Sequence, residues 1–151
     1  TGGGAGIAVC CDLRLASADL KYGFPIARTL GNCLSAATLA RLVAAIGEPR
    51  VVELLFTARL MLADEAVRIG LVSEVLPDHA SLMARAHALA QTLKGHAPLT
   101  MSVTKQLLRR MRQAAANVDD ADLVAKVYTS ADFREGLTSF LAKRPAQWTG
   151  R

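Results

Sequence analysis

The chain begins TGGGAGIAVCCD, and four of its first six residues are glycines: Gly2, Gly3, Gly4 and Gly6. The apolar run after them predicts a short buried helix over about residues 5–11, entered through a glycine turn. The first N–H groups of a helix have no partner within it, and the helix dipole places positive charge behind them. Such a turn can hold an anion or a developing oxyanion. It can equally be a tight packing turn, and the glycines alone leave both interpretations open.

Other residue types that often carry chemistry form no recognisable motif in this sequence. No Gly-Lys-Ser/Thr follows the glycines as in a P-loop, and no strand leading to an acidic residue follows as in a dinucleotide-binding fold. The cysteines, Cys10, Cys11 and Cys33, are odd in number and the three histidines are scattered, which favours neither a disulfide framework nor a zinc site. We therefore expect reduced, mostly buried thiols and no metal.

Composition indicates a globular protein rather than a membrane-spanning or secreted one. Of the 151 residues 52% are hydrophobic and 21% are charged, and the mean hydropathy is +0.27. No apolar run reaches the roughly 18 to 20 residues of a membrane span, and no signal-peptide pattern is present. We expect a cytoplasmic protein with no membrane partner. The apolar balance fits a fragment or a protein with a large subunit interface.

The net charge is +5, and basic residues concentrate in the segments 105–112 and 143–151. A basic surface suits a phosphorylated ligand or another polyanion. No aromatic side chains interleave the first segment, so a base-stacking surface is not expected there. A solvated helix face is the preferred interpretation and no nucleic acid partner is expected. Nucleic-acid binding is the weakest alternative and would show strong salt dependence.

The sequence predicts few strands, all in its first half, followed by a long run of helices. Strands are expected over 12–17, 20–24 and 71–77, where the residues alternate or are β-branched. The segment 25–35 has no clean period and is expected to be a loop with a turn at Gly31-Asn32. This pattern fits a helix-rich tail attached to the end of an α/β core.

Capping residues predict where the helices begin and end. Ser35 is expected to cap a helix that ends at Gly47, and Asp78 one that ends at about Leu93. Further helices are expected from Glu48 with Val52, Leu55 and Phe56 on one face, from the cap Asp64 to Ile69, from Pro98, over 119–129, and from the cap Asp132 over 131–143 with Gly136 weakening it.

Three stretches resemble the crotonase (enoyl-CoA hydratase/isomerase) superfamily. GGGAGIAVCCDLRLASADLKYGFP is similar to its central signature, in which a GGG turn opens a helix and a Cys-Asp pair, a strand and F-G-x-P follow. LVAAIGEPRVVELLFTARLMLADEAVRIGLVSEVLP and DFREGLTSFLAKRPAQW match later motifs in the same order. The resemblance implies an α/β fold: the C-terminal part of a crotonase-like ββα spiral core over 1–75 and a helical C-terminal trimerisation region over 76–151.

The resemblance implies chemistry on an acyl-CoA thioester. In this family two backbone N–H groups hold the thioester oxygen while an enolate forms. The second of these donors corresponds to Gly3. Family chains are longer and carry GGG near their middle, so we expect a C-terminal half whose parent supplies the other donor. Coenzyme A enters only as part of the substrate, and no bound cofactor is expected.

The sequence departs from the family where the hydratases carry two glutamates. The position two residues after GGG is Gly6, and the position after the F-G-x-P proline is Ile26. Hydration needs a base to activate water and an acid to protonate the α-carbon. The two-glutamate mechanism is therefore not expected. The resemblance implies that the acyl pocket is lined at the following positions: Gly2, Gly4, Gly6, Ile26, Asn32 and Cys33.

Two side chains near the second glutamate position are alternative candidates. Arg28 can polarise a carbonyl or hold a substrate carboxylate, or it is a surface charge of the loop. Cys33 can act as a nucleophile if its pKa is lowered, but a small packed residue is the preferred interpretation. Arg28 is thus the candidate catalytic side chain beside the Gly3 amide.

The last motif implies CoA contacts and an oligomer. Phe140 and Lys143 match the family's "F.EK" segment, which lies near the adenine and phosphates of CoA and often completes a neighbouring subunit's site. The alternative is a core phenylalanine and a surface lysine. The resemblance implies a homotrimer or hexamer for the full-length parent.

Two functions follow from these features. The first is an enoyl-CoA hydratase/isomerase relative of fatty acid metabolism, a lyase or isomerase with unusual acid/base residues. Isomerisation, hydrolysis or decarboxylation is then served by Arg28 or by a group of the parent outside this chain. The second is a catalytically inactive paralogue that binds acyl-CoA or acts as a scaffold.

Overall fold

The structure, a computed structural model, describes residues 1–115 and 118–151 and is mainly helical. The strands are β1 (Leu15–Ser17), β2 (Lys21–Tyr22), β3 (Met61–Leu62) and β4 (Glu74–Leu76). The helices of the described residues are α1 (Gly3–Cys10), α2 (Ile26–Thr29), α3 (Ala36–Ile46), α4 (Glu48–Phe56), α5 (Ala63–Arg68), α6 (His79–Lys94), α7 (Pro98–Ala115), α8 (Ala121–Tyr128) and α9 (Ala131–Leu141). In the part of the chain that is described, no helix has both the length and the apolar character needed to cross a membrane.

The chain forms two compact units. The first unit contains Thr1–Asp12, Lys21–Met61 and Val118–Arg151, and therefore every candidate site residue. In it α3 packs between α1 and α4, while α2 lies against α4 and α9. Its core side chains are Ala5, Val9, Tyr22, Phe24, Leu42, Ile46, Val51, Leu54, Ala58 and Met61.

The second unit contains Leu13–Leu20 and the stretch from Leu62 through α7. Strands β1 and β4 pair in parallel, with Ala16 opposite Val75, and α6 packs against both. The Arg14 Nε donates to the Leu71 carbonyl at 2.6 Å, which ties the start of β1 to the segment before β4. Burial is supplied by small and branched side chains, Ala16, Ala63, Ala66, Leu71 and Val72.

The structure confirms the capping predictions for α3 and α6. The Ser35 hydroxyl accepts from the Thr38 N–H at 3.4 Å, and Gly47 ends α3 with a φ of 82°. The Asp78 carboxylate accepts from the Ser81 N–H at 2.7 Å at the start of α6. The helices expected from Glu48 and Pro98 also begin at those residues.

Two other capping predictions are wrong. Asp64 lies in the first turn of α5, whose N-cap is Leu62 with no side-chain hydrogen bond. Asp132 lies in the first turn of α9, and Ser130 is the cap because its extended backbone aims its hydroxyl at the Phe133 N–H, 3.0 Å away. The Asp132 carboxylate is thereby available for the C-terminal residues.

The remaining differences between the predicted and the observed elements concern short elements and the buried face of α4. The expected loop 25–35 contains α2, which follows Pro25 at a φ of −74°, and the two-residue β3 is too short to show a period. In α4 the buried side chains are Val51 and Leu54, whereas Phe56 is 80% exposed.

The expectation of buried thiols is also wrong for the adjacent pair of cysteines. Cys10 and Cys11 are exposed and Cys33 is half-buried. The pair lies at the end of α1, whose buried side is made by Ala5 and Val9, and neither cysteine shares that side. None of the three thiols forms a disulfide.

At Gly136 the backbone of α9 lies directly against Leu30, the residue that follows α2. A Cβ at this position would overlap the carbonyl group and Cα of Leu30. The glycine lowers helix propensity, as the sequence predicts, and in exchange it lets two backbones touch. Gly136 therefore fixes how α9 lies on the segment that follows α2.

We expect Gly136→Ala to lower the free energy of unfolding by about 1 to 3 kcal/mol. The added methyl group would push the backbone of α9 away from the backbone of Leu30. The measurement is the midpoint of urea unfolding. Gly95→Ala is the matched control: its Cβ would lie 3.4 Å from the Thr92 oxygen at a helical φ of −81°. Equal stability of both variants would contradict the close approach.

Candidate active site

The glycine turn opens α1 with unused hydrogen-bond donors. Gly2 has a φ of 56°, and its own N–H donates to the Gly23 carbonyl at 2.9 Å. The helix begins at Gly3, and within the described residues the N–H groups of Gly3 and Gly4 have no hydrogen-bond partner. A Cβ at either position would meet no atom within 4 Å. The first turn therefore presents free donors beside open space, at the positive end of the helix dipole.

Buried aromatic residues hold this first turn in place. The Tyr22 hydroxyl donates to the Ala5 carbonyl at 3.1 Å, and Ala5 itself is buried. The Tyr22 ring packs edge-on against Phe24, with 5.9 Å between ring centroids. Because these side chains fill the core of the unit, the direction of the Gly3 N–H is set before any ligand arrives.

The two positions where the family's hydratases carry glutamate are Gly6, in α1, and Ile26, in α2. Gly6 is half-buried, and a Cβ there would lie 3.9 Å from Cε1 of Phe24, an ordinary contact. Space for a side chain thus exists at Gly6. Ile26 is half-buried at the first residue of α2.

The two candidate side chains of the segment 25–35, Arg28 and Cys33, do not bond to each other in the described part of the chain. Arg28 is exposed near the end of α2, and Cys33 is half-buried in the segment that follows. Among residues 1–115 and 118–151, no hydrogen bond or ion pair engages the side chain of Arg28 or Cys33. Both side chains are therefore able to contact a ligand, and a catalytic role for either stays a prediction.

Phe140 and Lys143 lie at the C-terminal end of α9 and just beyond it. Phe140 is 59% exposed, so it is not a core residue of this unit. Lys143 is exposed with a φ of 52°, and its N–H donates to the Phe140 carbonyl at 3.2 Å. This turn therefore follows α9 directly, and both side chains are exposed at its two ends. Contact of the pair with CoA stays a prediction.

The loop Leu30–Ala36, which contains Asn32 and Cys33, is held by the C-terminal part of the chain. Trp148 covers Gly31: a Cβ on Gly31 would lie 2.9 Å from the ring carbon Cζ3. The Asn32 Nδ2 donates to the Tyr128 hydroxyl at 3.2 Å, and its Oδ1 is buried without a partner in the described part of the chain. The Ala36 N–H donates to the Asp120 carboxylate at 2.5 Å.

Two carboxylates of α9 fasten the C-terminal strap, residues 144–151. Glu135 accepts two hydrogen bonds from Arg144, at 2.6 and 2.9 Å, and one from the Gln147 N–H at 2.9 Å. The side-chain bonds from Arg144, then the Gln147 N–H, lower the pKa of Glu135 to about 2.

Asp132 holds the end of the same strap. Its carboxylate accepts from the N–H groups of Thr149 and Gly150 at 2.7 and 2.8 Å, which lower its pKa below the usual value. The Asp132 N–H in turn donates to the Arg151 carbonyl at 3.0 Å. The strap is therefore bonded to α9 on both sides of Trp148.

The sequence did not predict the residues that hold the glycine turn and the loop Leu30–Ala36. Tyr22, Tyr128 and Trp148 received no role, although Trp148 and Glu135 both fall within the last family motif. Tyr22 lies in the first family motif and Tyr128 in none, and a motif match does not show which residues contact one another. No group of three or more His, Cys, Asp or Glu that could hold a metal ion occurs in the described ranges.

Comparison with known proteins identifies the class of this fold and site. The family Enoyl-CoA hydratase/isomerase matches residues 1–151. The short-chain-enoyl-CoA hydratase of Clostridium acetobutylicum is 32% identical over 146 residues, covering 95% of this chain and 55% of the relative. The 2,3-dehydroadipyl-CoA hydratase of Escherichia coli is 29% identical, covering 99% of this chain and 59% of the relative. The chain thus spans somewhat over half the length of these curated relatives.

Solved structures give the same result. A methylmalonyl-CoA decarboxylase in complex with 2-nitronate-propionyl-CoA superimposes with a TM-score of 0.86 at 26% identity, covering 99% of this chain and 59% of that one. The chain belongs to the enoyl-CoA hydratase/isomerase family, that is, to the crotonase superfamily. The α/β crotonase-like fold expected from the sequence is confirmed.

The strap predicts a specific acid sensitivity. The folded-state pKa of Glu135 is about 2, below its ordinary value of 4.5. The stabilisation that the Glu135 carboxylate gives to the strap is therefore complete above about pH 4.5 and is lost as the pH falls toward 2. Asp132 acts in the same direction. We expect the fluorescence of Trp148, the one tryptophan of the chain, to change between about pH 5 and 2 as the strap detaches.

Glu135→Gln should remove the part of this pH-dependent change that comes from Glu135 and leave the part from Asp132, because Gln147 and Arg144 then face a neutral amide at every pH. Glu74→Gln is the matched control, since Glu74 pairs with Arg85 at 2.7 Å in the second unit. An acid profile of Trp148 that is the same in wild type and Glu135→Gln would contradict the strap assignment.

Proposed function

We propose that the full-length protein binds an acyl-CoA thioester and holds the thioester oxygen on the Gly3 N–H, one of two oxyanion donors. The observation that carries this proposal is the free Gly3 N–H at the start of α1, beside open space, in a chain of this family. Removal of such a donor typically costs about 3 to 4 kcal/mol of transition-state stabilisation. The second donor would come from outside this chain.

The geometry suits a charge that develops during the reaction. As an enolate forms, negative charge moves from the α-carbon onto the thioester oxygen, where the N–H and the helix dipole stabilise it. Tyr22 and Ala5 fix the first turn of α1, so little reorganisation accompanies this shift of charge. A backbone donor also tolerates the side-chain differences that this sequence shows from its relatives.

We propose that the reaction does not use the family's pair of glutamates. Gly6 and Ile26 stand at those positions and neither can transfer a proton. Decarboxylation makes the smallest demand on side chains, because breaking the bond to CO₂ creates the enolate without a base. One structural neighbour is named a methylmalonyl-CoA decarboxylase, and Arg28 is suited to hold a substrate carboxylate. Isomerisation and hydrolysis remain the other reactions of this proposal.

A second candidate is an inactive acyl-CoA-binding or scaffold paralogue, and the replacement of both glutamates favours it. In either case we propose that Phe140 and Lys143 contact the CoA moiety and that the full-length protein is a trimer or hexamer. The division of the chain at residues 75 and 76 also stays a prediction.

The proposed enzyme is tested by incubating the full-length protein with enoyl-, hydroxyacyl- and malonyl-type CoA thioesters and reading the products by mass spectrometry. We expect loss of CO₂, an isomer with shifted retention, or free CoA. Thioesters that return unchanged while CoA binding stays measurable would favour the paralogue. Absence of both turnover and CoA binding would overturn the proposal.

Variants separate the two candidates in the same assay. Arg28→Ala should reduce turnover at least tenfold if Arg28 holds the reacting group, as for loss of a charged hydrogen bond. Arg68→Ala is the matched control, because Arg68 is likewise an exposed arginine in the last turn of a short helix, α5. Hydratase activity that appears only in the double variant Gly6→Glu, Ile26→Glu would indicate an inactive wild type.

A further inference from the structure

The loop Leu30–Ala36 is held at successive positions by residues that come more than 80 positions later in the chain. Its first carbonyl lies against Gly136, its glycine lies under Trp148, and its asparagine is bonded to Tyr128. Its last N–H donates to Asp120. All of these partners belong to the segment 118–151, which includes α8, α9 and the strap. One contiguous segment therefore contacts the loop from end to end.

The loop has little of its own to fix its shape. Within it, Gly31 takes a left-handed φ of 64° and bonds back to the Ile26 carbonyl at 2.8 Å. A Gly-Asn pair is compatible with many conformations, so this local bond leaves the following residues free. At the other end of the loop the Ser35 hydroxyl caps α3 by accepting from the Thr38 N–H. Between these two local bonds, Asn32 is held by Tyr128 of the C-terminal segment.

Asn32 depends most strongly on this segment. Its Nδ2 is bonded to the Tyr128 hydroxyl, whereas its Oδ1 is buried and has no partner in the described residues. A buried polar atom without a partner is destabilising, because it has given up its hydrogen bonds to water. Loss of the Tyr128 hydroxyl would leave both polar ends of the Asn32 amide unsatisfied, and the side chain would have to leave its position.

The strap extends this control to Gly31. Glu135 and Asp132 bind the strap on both sides of Trp148 and so hold the indole against the glycine. The Tyr128 ring also packs on Phe133 of α9, with 4.8 Å between centroids. Both contacts with the loop, at Gly31 and at Asn32, thus rest on the first turns of α9.

We propose that the segment 118–151 positions the acyl pocket: Tyr128 and Trp148 are positioning residues that fix the loop Leu30–Ala36 and thereby determine which acyl group is accepted. This inference rests on the proposed binding of acyl-CoA and on the acyl-pocket position that the family resemblance implies for Asn32 and Cys33 of this loop. It predicts that the C-terminal segment influences recognition of the acyl group separately from recognition of CoA.

The first test measures the loop itself by hydrogen–deuterium exchange in the full-length protein. Tyr128→Phe removes only the hydroxyl, and we expect exchange in residues 30–36 to rise about two- to tenfold, as for loss of one hydrogen bond. Trp148→Ala should do the same at Gly31 and Trp148→Phe much less, because a ring still covers the glycine. Thr92→Val, which removes an exposed hydroxyl bonded within α6, is the control and should leave this loop unchanged.

The second test compares the affinities of butyryl-CoA and free CoA by calorimetry. Tyr128→Phe and Trp148→Ala should weaken butyryl-CoA about three- to tenfold, while the affinity for free CoA stays within about twofold. A merely structural defect would weaken both ligands together or neither. Trp148→Phe should restore most of the affinity for butyryl-CoA.

The outcomes separate this inference from the proposed function. Unchanged exchange in residues 30–36 in both Tyr128→Phe and Trp148→Ala overturns the inference, whatever the ligands do. Faster exchange with equal losses for butyryl-CoA and CoA, or with no loss, overturns its acyl-recognition part. A wild-type protein that binds neither ligand overturns the proposed function and the pocket assignment with it. Faster exchange of residues 30–36 in the variants would still support control of the loop.

Discussion

The backbone contact between Gly136 and Leu30 is the constraint on which the surroundings of the site depend. Only a residue without a Cβ lets α9 lie so close to the end of α2. With α9 in that position, Glu135 and Asp132 can bind the strap, and the strap can lay Trp148 on Gly31. The last family motif, residues 132–148, therefore supplies a connected set of contacts in the folded chain.

A second constraint orients the start of α1. Gly2 turns the chain with a positive φ and gives its N–H to Gly23, while the buried Tyr22 bonds the Ala5 carbonyl. The result is a helix whose first donor, Gly3, faces open space. One constraint acts at Leu30 and the other at Gly23, so both bear on the segment 23–36, which carries the position where the hydratases of the family have their second glutamate.

The sequence alone predicted the features that act over a few residues. Ser35 and Asp78 were recognised as caps because a cap bonds an N–H three residues away. The predicted caps Asp64 and Asp132 are wrong, because the sequence does not show whether a carboxylate near a helix start bonds the helix or a distant segment. The two-residue strand β3 offers no period by which it could be recognised.

The contacts around the loop could not be predicted in this way. Asn32 and Tyr128 are 96 positions apart, and Ala36 and Asp120 are 84 apart. No local pattern encodes such pairs, because they arise only when α8 and α9 pack near α2. The resemblance indicates the family and the importance of Gly3, whereas the roles of Trp148 and Glu135 follow only from the contacts that they make in the folded chain.

The most direct test of the account is the infrared carbonyl band of butyryl-CoA, labelled with ¹³C at the thioester carbon and bound to the full-length protein. Hydrogen bonding from Gly3 predicts a band at lower frequency than in water. Gly3→Pro lacks this N–H and suits the first helical position, whereas Gly3→Ala keeps the N–H and has space for its methyl group. The account predicts the lowered band in wild type and Gly3→Ala and its partial return in Gly3→Pro. A band at the same frequency in all three proteins would contradict it.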